Sequence, residues 1–188
     1  MNLTFLGTSS GIADIERTCS SLLVTSGDQS IILDAGEGLS RRLLELETPL
    51  EDISSVFITH THPDHFAGLF LFLQLLHAKK RKKSLSIYLP TEAEKIFEQF
   101  LNMSLLWKEK LGFSLHIESI KTYQTISRNG FSLTPYPTSH LLGYAKFSEA
   151  HGFQELEAFS FVVSAENKTL MYSGDIGSLQ DLVTPLQE

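Results

Sequence analysis

The chain has 188 residues, 42% of them hydrophobic and 20% charged, a balance that excludes a disordered or fibrous polymer and suits one domain spanning residues 1–188. Fifteen Lys and Arg stand against 22 Asp and Glu, a formal charge of −7, so the protein as a whole is not built to attract polyanions. The single cysteine, Cys19, excludes an intramolecular disulfide and a thiolate zinc cluster; with no signal-like N-terminus and no apolar stretch of membrane-spanning length, a cytoplasmic location is expected.

In chain order, Asn2 to Leu6, Ser20 to Thr25 and Gln29 to Leu33 read as strands, with Ser26-Gly27-Asp28 turning the last two into a hairpin. Apolar residues at 39, 43, 44 and 46 predict a helix over Leu39 to Leu46. Ser55 to Thr59 is a short strand running into His60, and Phe66 to Ala78 a strongly apolar helix. Leu85 to Leu89 is a strand ended by Pro90, after which Thr91 and Glu94 have the spacing of a capping box opening a helix to about Trp107. Segments 113–118, 131–136, 157–164 and 168–173 read as strands, with polar turns at Asn129-Gly130 and Glu166-Asn167. This order suggests sheets packed face to face with helices outside.

The run Thr59-His60-Thr61-His62-Pro63-Asp64-His65 carries the densest chemistry. Residues two apart on a strand point to one side, so His60 and His62 can aim their imidazoles at one point. Asp64 and His65 follow at the turn into the next helix. Imidazole and carboxylate suit Zn²⁺, and also Mn²⁺ or Fe²⁺. The bland alternative is a polar turn whose histidines cap a helix.

The motif resembles the metallo-β-lactamase superfamily signature. Asp34-Ala35-Gly36-Glu37-Gly38 after an apolar strand, Pro137-Thr138-Ser139-His140, and Tyr172-Ser173-Gly174-Asp175 match further elements of that family in order. The opening FLGTSSG and the run THPDHFAGL look most like the ribonuclease Z and phosphodiesterase branch. The resemblance implies an α/β fold, a four-layer αββα sandwich. His60, His62 and His140 would hold one metal, Asp64 and His65 a second, and Asp175 would bridge them. Two Zn²⁺ are expected, with Asp64 also the catalytic proton handler beside a metal-bound hydroxide. Asp34 is either a support for a ligand loop or an ordinary turn aspartate. His77, His116 and His151 are read as structural.

The chain departs from the family in two ways. A further metal histidine downstream of the bridging aspartate is expected, yet none of the 13 residues after Asp175 is a histidine. The second sheet is therefore expected to be incomplete at the C-terminus, and the site completed by a missing C-terminal segment or by a homodimer partner. Ser178 to Leu186 reads as the helix leading into the missing strands. Only 34 residues separate His140 from Asp175, too few for a tRNA-gripping arm beside two strands. Against this, Lys79-Lys80-Arg81-Lys82-Lys83 places five cations in one run, either a phosphate-backbone contact for RNA or a solvated loop at a helix C-terminus. The expected activity is metal-dependent phosphodiester hydrolysis. Hydrolysis of carboxylic esters, lactones or thioesters, or a non-catalytic metal-binding or interaction module, are the alternatives.

Overall fold

The computed structural model describes residues 1–12, 14–153 and 155–187. The first sheet has six strands in the order β1 (Asn2–Gly7), β2 (Ser21–Ser26), β3 (Gln29–Leu33), β4 (Ile53–Phe57), β5 (Leu85–Leu89) and β6 (Leu115–Ser119). β1, β2 and β3 form an antiparallel meander, and β3 to β6 run parallel. Parallel neighbours need crossover connections, and helices supply them. These are α1 (Leu39–Glu45), the pair α2 (Pro63–Phe66) and α3 (Gly68–Ala78), and α4 (Thr91–Met103). The second sheet is antiparallel, in the order β10 (Lys168–Tyr172), β9 (Phe159–Ala165), β8 (Phe131–Pro137) and β7 (Ile126–Arg128). A short helix, α5 (Ala145–Ala150), lies between β8 and β9.

Strand alternation divides the core in two. Leu23, Ile32, Val56 and Ile87 face the helices and meet Leu43, Phe72, Leu73 and Phe97. Their neighbours Leu22, Leu33, Phe57 and Tyr88 face the second sheet and meet Leu133, Phe159, Phe161 and Val163. Each such side chain contributes roughly 1.5–3 kcal/mol by leaving water. β4 and β5 are buried along their whole length, as expected for parallel strands covered on both faces. The layers are thus helices, sheet, sheet, with the 3₁₀ turn Pro185–Gln187 lying against β9. Among the described residues β10 is an edge strand, and no helix is long and apolar enough to cross a membrane.

Several local expectations are corrected. β4 stops at Phe57, so Thr59, His60 and the residues up to His62 lie in a loop rather than on the strand. Thr91 is the first helical residue, not the cap. Its N–H goes to Glu157 Oε2 at 2.7 Å, while Glu94 accepts a hydrogen bond from the Ser119 hydroxyl. Pro90, extended at ψ 146°, makes the junction instead. α4 ends at Met103, short of Trp107, because the chain reverses through Leu105 at φ 62°. β7 and α5 were not expected. Three and six residues are too few for a period to declare itself. Residues 178–186 form two 3₁₀ turns, Leu179–Leu182 and Pro185–Gln187, rather than one helix.

The basic run does not present five cations. Arg81 is 2% exposed. Its guanidinium donates to the carbonyls of Leu50, Ile53, Lys83 and Ser84 and lies 5.7 Å from the Phe113 ring centre. A planar fork of five donors satisfies several carbonyls at one junction, which a lysine cannot do. Lys83 pairs with Asp52 at 2.9 Å. Any RNA contact through this run would rest on Lys79, Lys80 and Lys82.

Candidate metal centre

Four loops at the same end of the two sheets build the centre. The first follows β4. Asp34, at the end of β3, accepts the Thr59 N–H at 2.7 Å and the Thr59 hydroxyl at 2.9 Å, which fixes the residue before His60. His62 is extended, and Pro63 opens α2 at its first position, where a missing N–H costs nothing. Asp64 and His65 therefore fall in the first helical turn. The Ala35 N–H donates to the His65 carbonyl at 2.7 Å, and the Gly68 N–H donates to the Ala35 carbonyl at 2.8 Å. This close approach requires the glycines. A Cβ on Gly36 would lie 2.1 Å from the Asp64 carbonyl oxygen, and one on Gly68 2.0 Å from that of Gly36. His140 comes from the loop after β8, and Asp175 from the loop after β10.

Donor atoms of His60, His62, His140 and Asp175 all lie within 4.8 Å of one another. His60 Nε2 is 3.0 Å from His62 Nδ1, and His140 Nε2 is 3.2 Å from the same atom. Nitrogens around a tetrahedral Zn²⁺ at about 2.0–2.1 Å stand roughly 3.3 Å apart, so the set fits a cation of that size. Burial, then the neighbouring imidazoles of His65, His62 and His140, push His60 down to about 3. His62 is lowered by burial and by His140. Both therefore offer lone pairs at neutral pH.

A second set lies beside the first. His65 Nε2 is 3.7 Å from Asp64 Oδ2 and 3.4 Å from Asp175 Oδ1, while Asp175 Oδ2 is 3.5 Å from His140 Nε2. Asp175 thus turns one oxygen to each set. The His65 hydrogen bond comes first among the effects that hold its carboxyl down at about 2. Burial alone would lower His65, but Asp175 and Asp34 overcome it and hold the imidazole up at about 10. A proton thus occupies the place that a second cation would take. Loading this set must expel that proton, so the apparent affinity for the second cation should rise about tenfold per pH unit between about pH 7 and 9. Competitive chelator titrations across that range measure the slope, and a flat profile would contradict the assignment. His60, pushed down to about 3, adds no such slope to the first set.

Two supports complete the site. Asp34, fully buried, also accepts the His65 Nδ1–H at 2.7 Å and the Tyr172 hydroxyl at 2.9 Å. That fixes the tautomer that leaves His65 Nε2 facing the centre. The open choice for Asp34 is thereby settled by contact: it orients the imidazole. Asp181 had not been singled out. One oxygen, Oδ2, accepts from Ser139 N–H at 3.0 Å, Ser139 hydroxyl at 2.9 Å, Gly177 N–H at 2.9 Å and Ser178 N–H at 3.2 Å. It ties the loop carrying His140 to the loop carrying Asp175. The sequence signal was present as Ser178-x-x-Asp181, the capping box of the first 3₁₀ turn. Asp181→Ala should weaken cation binding about 10–100-fold with the fold retained, read by metal titration and circular dichroism.

All six residues expected to ligate, His60, His62, Asp64, His65, His140 and Asp175, meet at this one place. The remaining histidines lie elsewhere. His77 Nδ1 is 3.0 Å from the Leu111 carbonyl, His116 stands in β6, and His151 lines an adjoining cavity.

A family model described as Anti-Pycsar protein Apyc1 matches residues 1–188. Ribonuclease Z of Archaeoglobus fulgidus is 30% identical over 148 residues, covering 76% of this chain and 46% of that protein. The chain spans about half the length of the curated relatives it matches. Among solved structures, human tRNase Z, short form, superposes with a TM-score of 0.72 at 20% identity over 95% of this chain and 70% of its own. The metallo-beta-lactamase fold protein YhfI from Bacillus subtilis gives 0.68 at 21% identity, over 92% and 61%. The sandwich, its order of loops and the end-to-end match agree: the chain belongs to the Anti-Pycsar protein Apyc1 family, within the ribonuclease Z-like branch of the metallo-β-lactamase superfamily.

Proposed function

We propose that the chain is a metal-dependent hydrolase of phosphodiesters. The observation that carries this reading is the split carboxylate of Asp175, with Oδ2 3.5 Å from His140 and Oδ1 3.4 Å from His65. It sets two cation places side by side, the arrangement that suits in-line displacement at phosphorus, where attacking and leaving oxygens both carry charge. His60, His62, His140 and Asp175 would hold one cation, and Asp64, His65 and Asp175 the other. Zn²⁺ fits the nitrogen-rich set first, and Mn²⁺ or Fe²⁺ suit the same donors. When bound, such cations supply positive charge and an acidified water. Asp64 faces this place from the first turn of α2 and takes the proton of the attacking water. Asp34 holds His65 in line, and Thr59 holds the His60 loop.

The stretch between His140 and Asp175 is used by α5, β9 and β10. Secondary structure rather than a long arm fills that stretch among the described residues, and this favours a small phosphodiester as substrate. The single cysteine fits a reducing compartment such as the cytoplasm. Turnover per chain that rises with protein concentration would reveal completion of the site by a second copy.

Purified protein supplied with Zn²⁺ or Mn²⁺ should hydrolyse bis(p-nitrophenyl) phosphate, and His62→Ala should abolish that turnover. Full activity in the variant would remove the centre from the reaction. Hydrolysis of p-nitrophenyl acetate without any phosphodiester turnover would point to ester chemistry instead. A folded protein that takes up no metal would be a binding module.

A further inference from the structure

Thr59, just past the end of β4, is fully buried, as are Asp34 and His60. Its hydroxyl oxygen lies 2.9 Å from Asp34 Oδ2, 3.0 Å from Asp34 Oδ1 and 3.0 Å from His60 Nδ1. A hydroxyl has one hydrogen and two lone pairs, whereas a carboxylate only accepts. The single hydrogen therefore goes to Asp34, which also accepts the Thr59 N–H, the His65 Nδ1–H and the Tyr172 hydroxyl. Towards His60 the oxygen presents a lone pair, so the Nδ1 that it faces carries the hydrogen. A neutral imidazole has only one N–H. His60 Nε2 is then the bare nitrogen, and it lies 3.0 Å from His62 Nδ1, inside the first set.

The reverse direction is disfavoured. A hydroxyl donating to His60 Nδ1 would set its lone pairs against two buried carboxylate oxygens, which is costly away from water. It would also put a hydrogen on Nε2, pointing into the cation place. The other branch of the side chain holds the direction. A Cβ on Gly174, at φ 53°, would lie 2.8 Å from Thr59 Cγ2. The methyl therefore fits against the residue before Asp175, and the stiff β-branched side chain aims its hydroxyl the other way.

We propose that Thr59 is a positioning residue of the metal centre: its hydroxyl relays the Asp34 carboxylate to His60 and turns the bare Nε2 into the first cation place. One buried carboxylate thus orients an imidazole in each set, His65 directly and His60 through Thr59. This rests on the first set's being a cation place and says nothing of the substrate.

The metal-free protein, labelled with ¹⁵N-histidine, gives the direct test. Long-range proton–nitrogen spectra at neutral pH should show His60, identified by its loss in His60→Gln, with hydrogen on Nδ1 and a bare Nε2. Thr59→Val keeps the branched shape without the hydroxyl. His60 should then show both tautomers, and the first equivalent of Zn²⁺ should bind about tenfold more weakly in a competitive titration. The second equivalent, at His65, should change little. Thr59→Ser returns the hydroxyl and should restore the single tautomer and most of the first-equivalent affinity. Hydrogen on His60 Nε2 in the unsubstituted protein, or undiminished first-equivalent affinity in Thr59→Val, would overturn the relay. Equal losses at both equivalents would overturn it too, being the mark of a merely loosened loop. If the unsubstituted protein takes up no Zn²⁺, the centre is not a zinc site, and the metal-free spectrum still decides the direction of the relay. None of these readouts needs turnover, so the relay and the phosphodiesterase reading fail separately.

Discussion

Asp175→Ala should strip the centre of both cations and reduce phosphodiester turnover by about 10³-fold or more, the scale of several kcal/mol of lost charge stabilisation. Asp175 turns one oxygen to each set, Oδ2 at 3.5 Å from His140 and Oδ1 at 3.4 Å from His65. Its removal leaves the first set as three imidazoles and the second as His65 with Asp64. Asp175→Asn keeps the shape and one carbonyl oxygen, so it should retain part of the first cation and little of the second. Elemental analysis of purified variants beside their turnover measures both effects. Two cations per chain in Asp175→Ala would refute the bridging role.

Asp34→Ala should give the largest loss of stability, about 3–5 kcal/mol, because a buried charge disappears and its donors stay behind. The carboxylate meets Thr59, His65 and Tyr172 from three separate segments. For a chain of this size the melting temperature should fall by roughly 6–20 °C. Asp34 also sits at φ 59°, a conformation that asparagine tolerates better than alanine. Asp34→Asn should therefore cost less, while still loosening His65 and weakening the second cation about 10–100-fold.

The loss in Asp34→Ala depends on pH in the metal-free protein. His65 is raised in the folded state, from 6.5 to about 10. Its contribution is complete below pH 6.5 and fades as pH rises through about 10. The variant removes one of the two carboxylates behind that rise, so its deficit should be greatest in mild acid and narrow in alkali. Thermal melts in chelator across that range test the sign. A deficit that widens with pH would contradict it.

Much of the architecture is written in local pattern. β3 and β5 fall where β-branched and apolar runs put them, and the turns at Asn129 and Glu166–Asn167 take the positive φ that such residues accept. The run from His60 to His65 is legible because six consecutive positions hold four donors, and a chain that turns from extended into helix can only gather them. His140 and Asp175 were legible through the resemblance to the family, by their order and their neighbours, and not by any local period.

Other features answer to distance in space rather than to sequence. Arg81 reads as one of five surface cations, yet carbonyls from the Leu50–Ile53 segment draw it inward, some 30 residues away in the chain. Asp34 reads equally as a loop support or a turn aspartate until Tyr172 arrives from 138 positions downstream. Asp181, not singled out in the sequence, takes its part only when the Ser139 loop folds onto it. Local sequence determines which φ and ψ a residue prefers and which face it shows. Only packing of distant segments decides which donors an oxygen must satisfy, and that is what separates the six clustered candidate ligands from the groups that hold them in place.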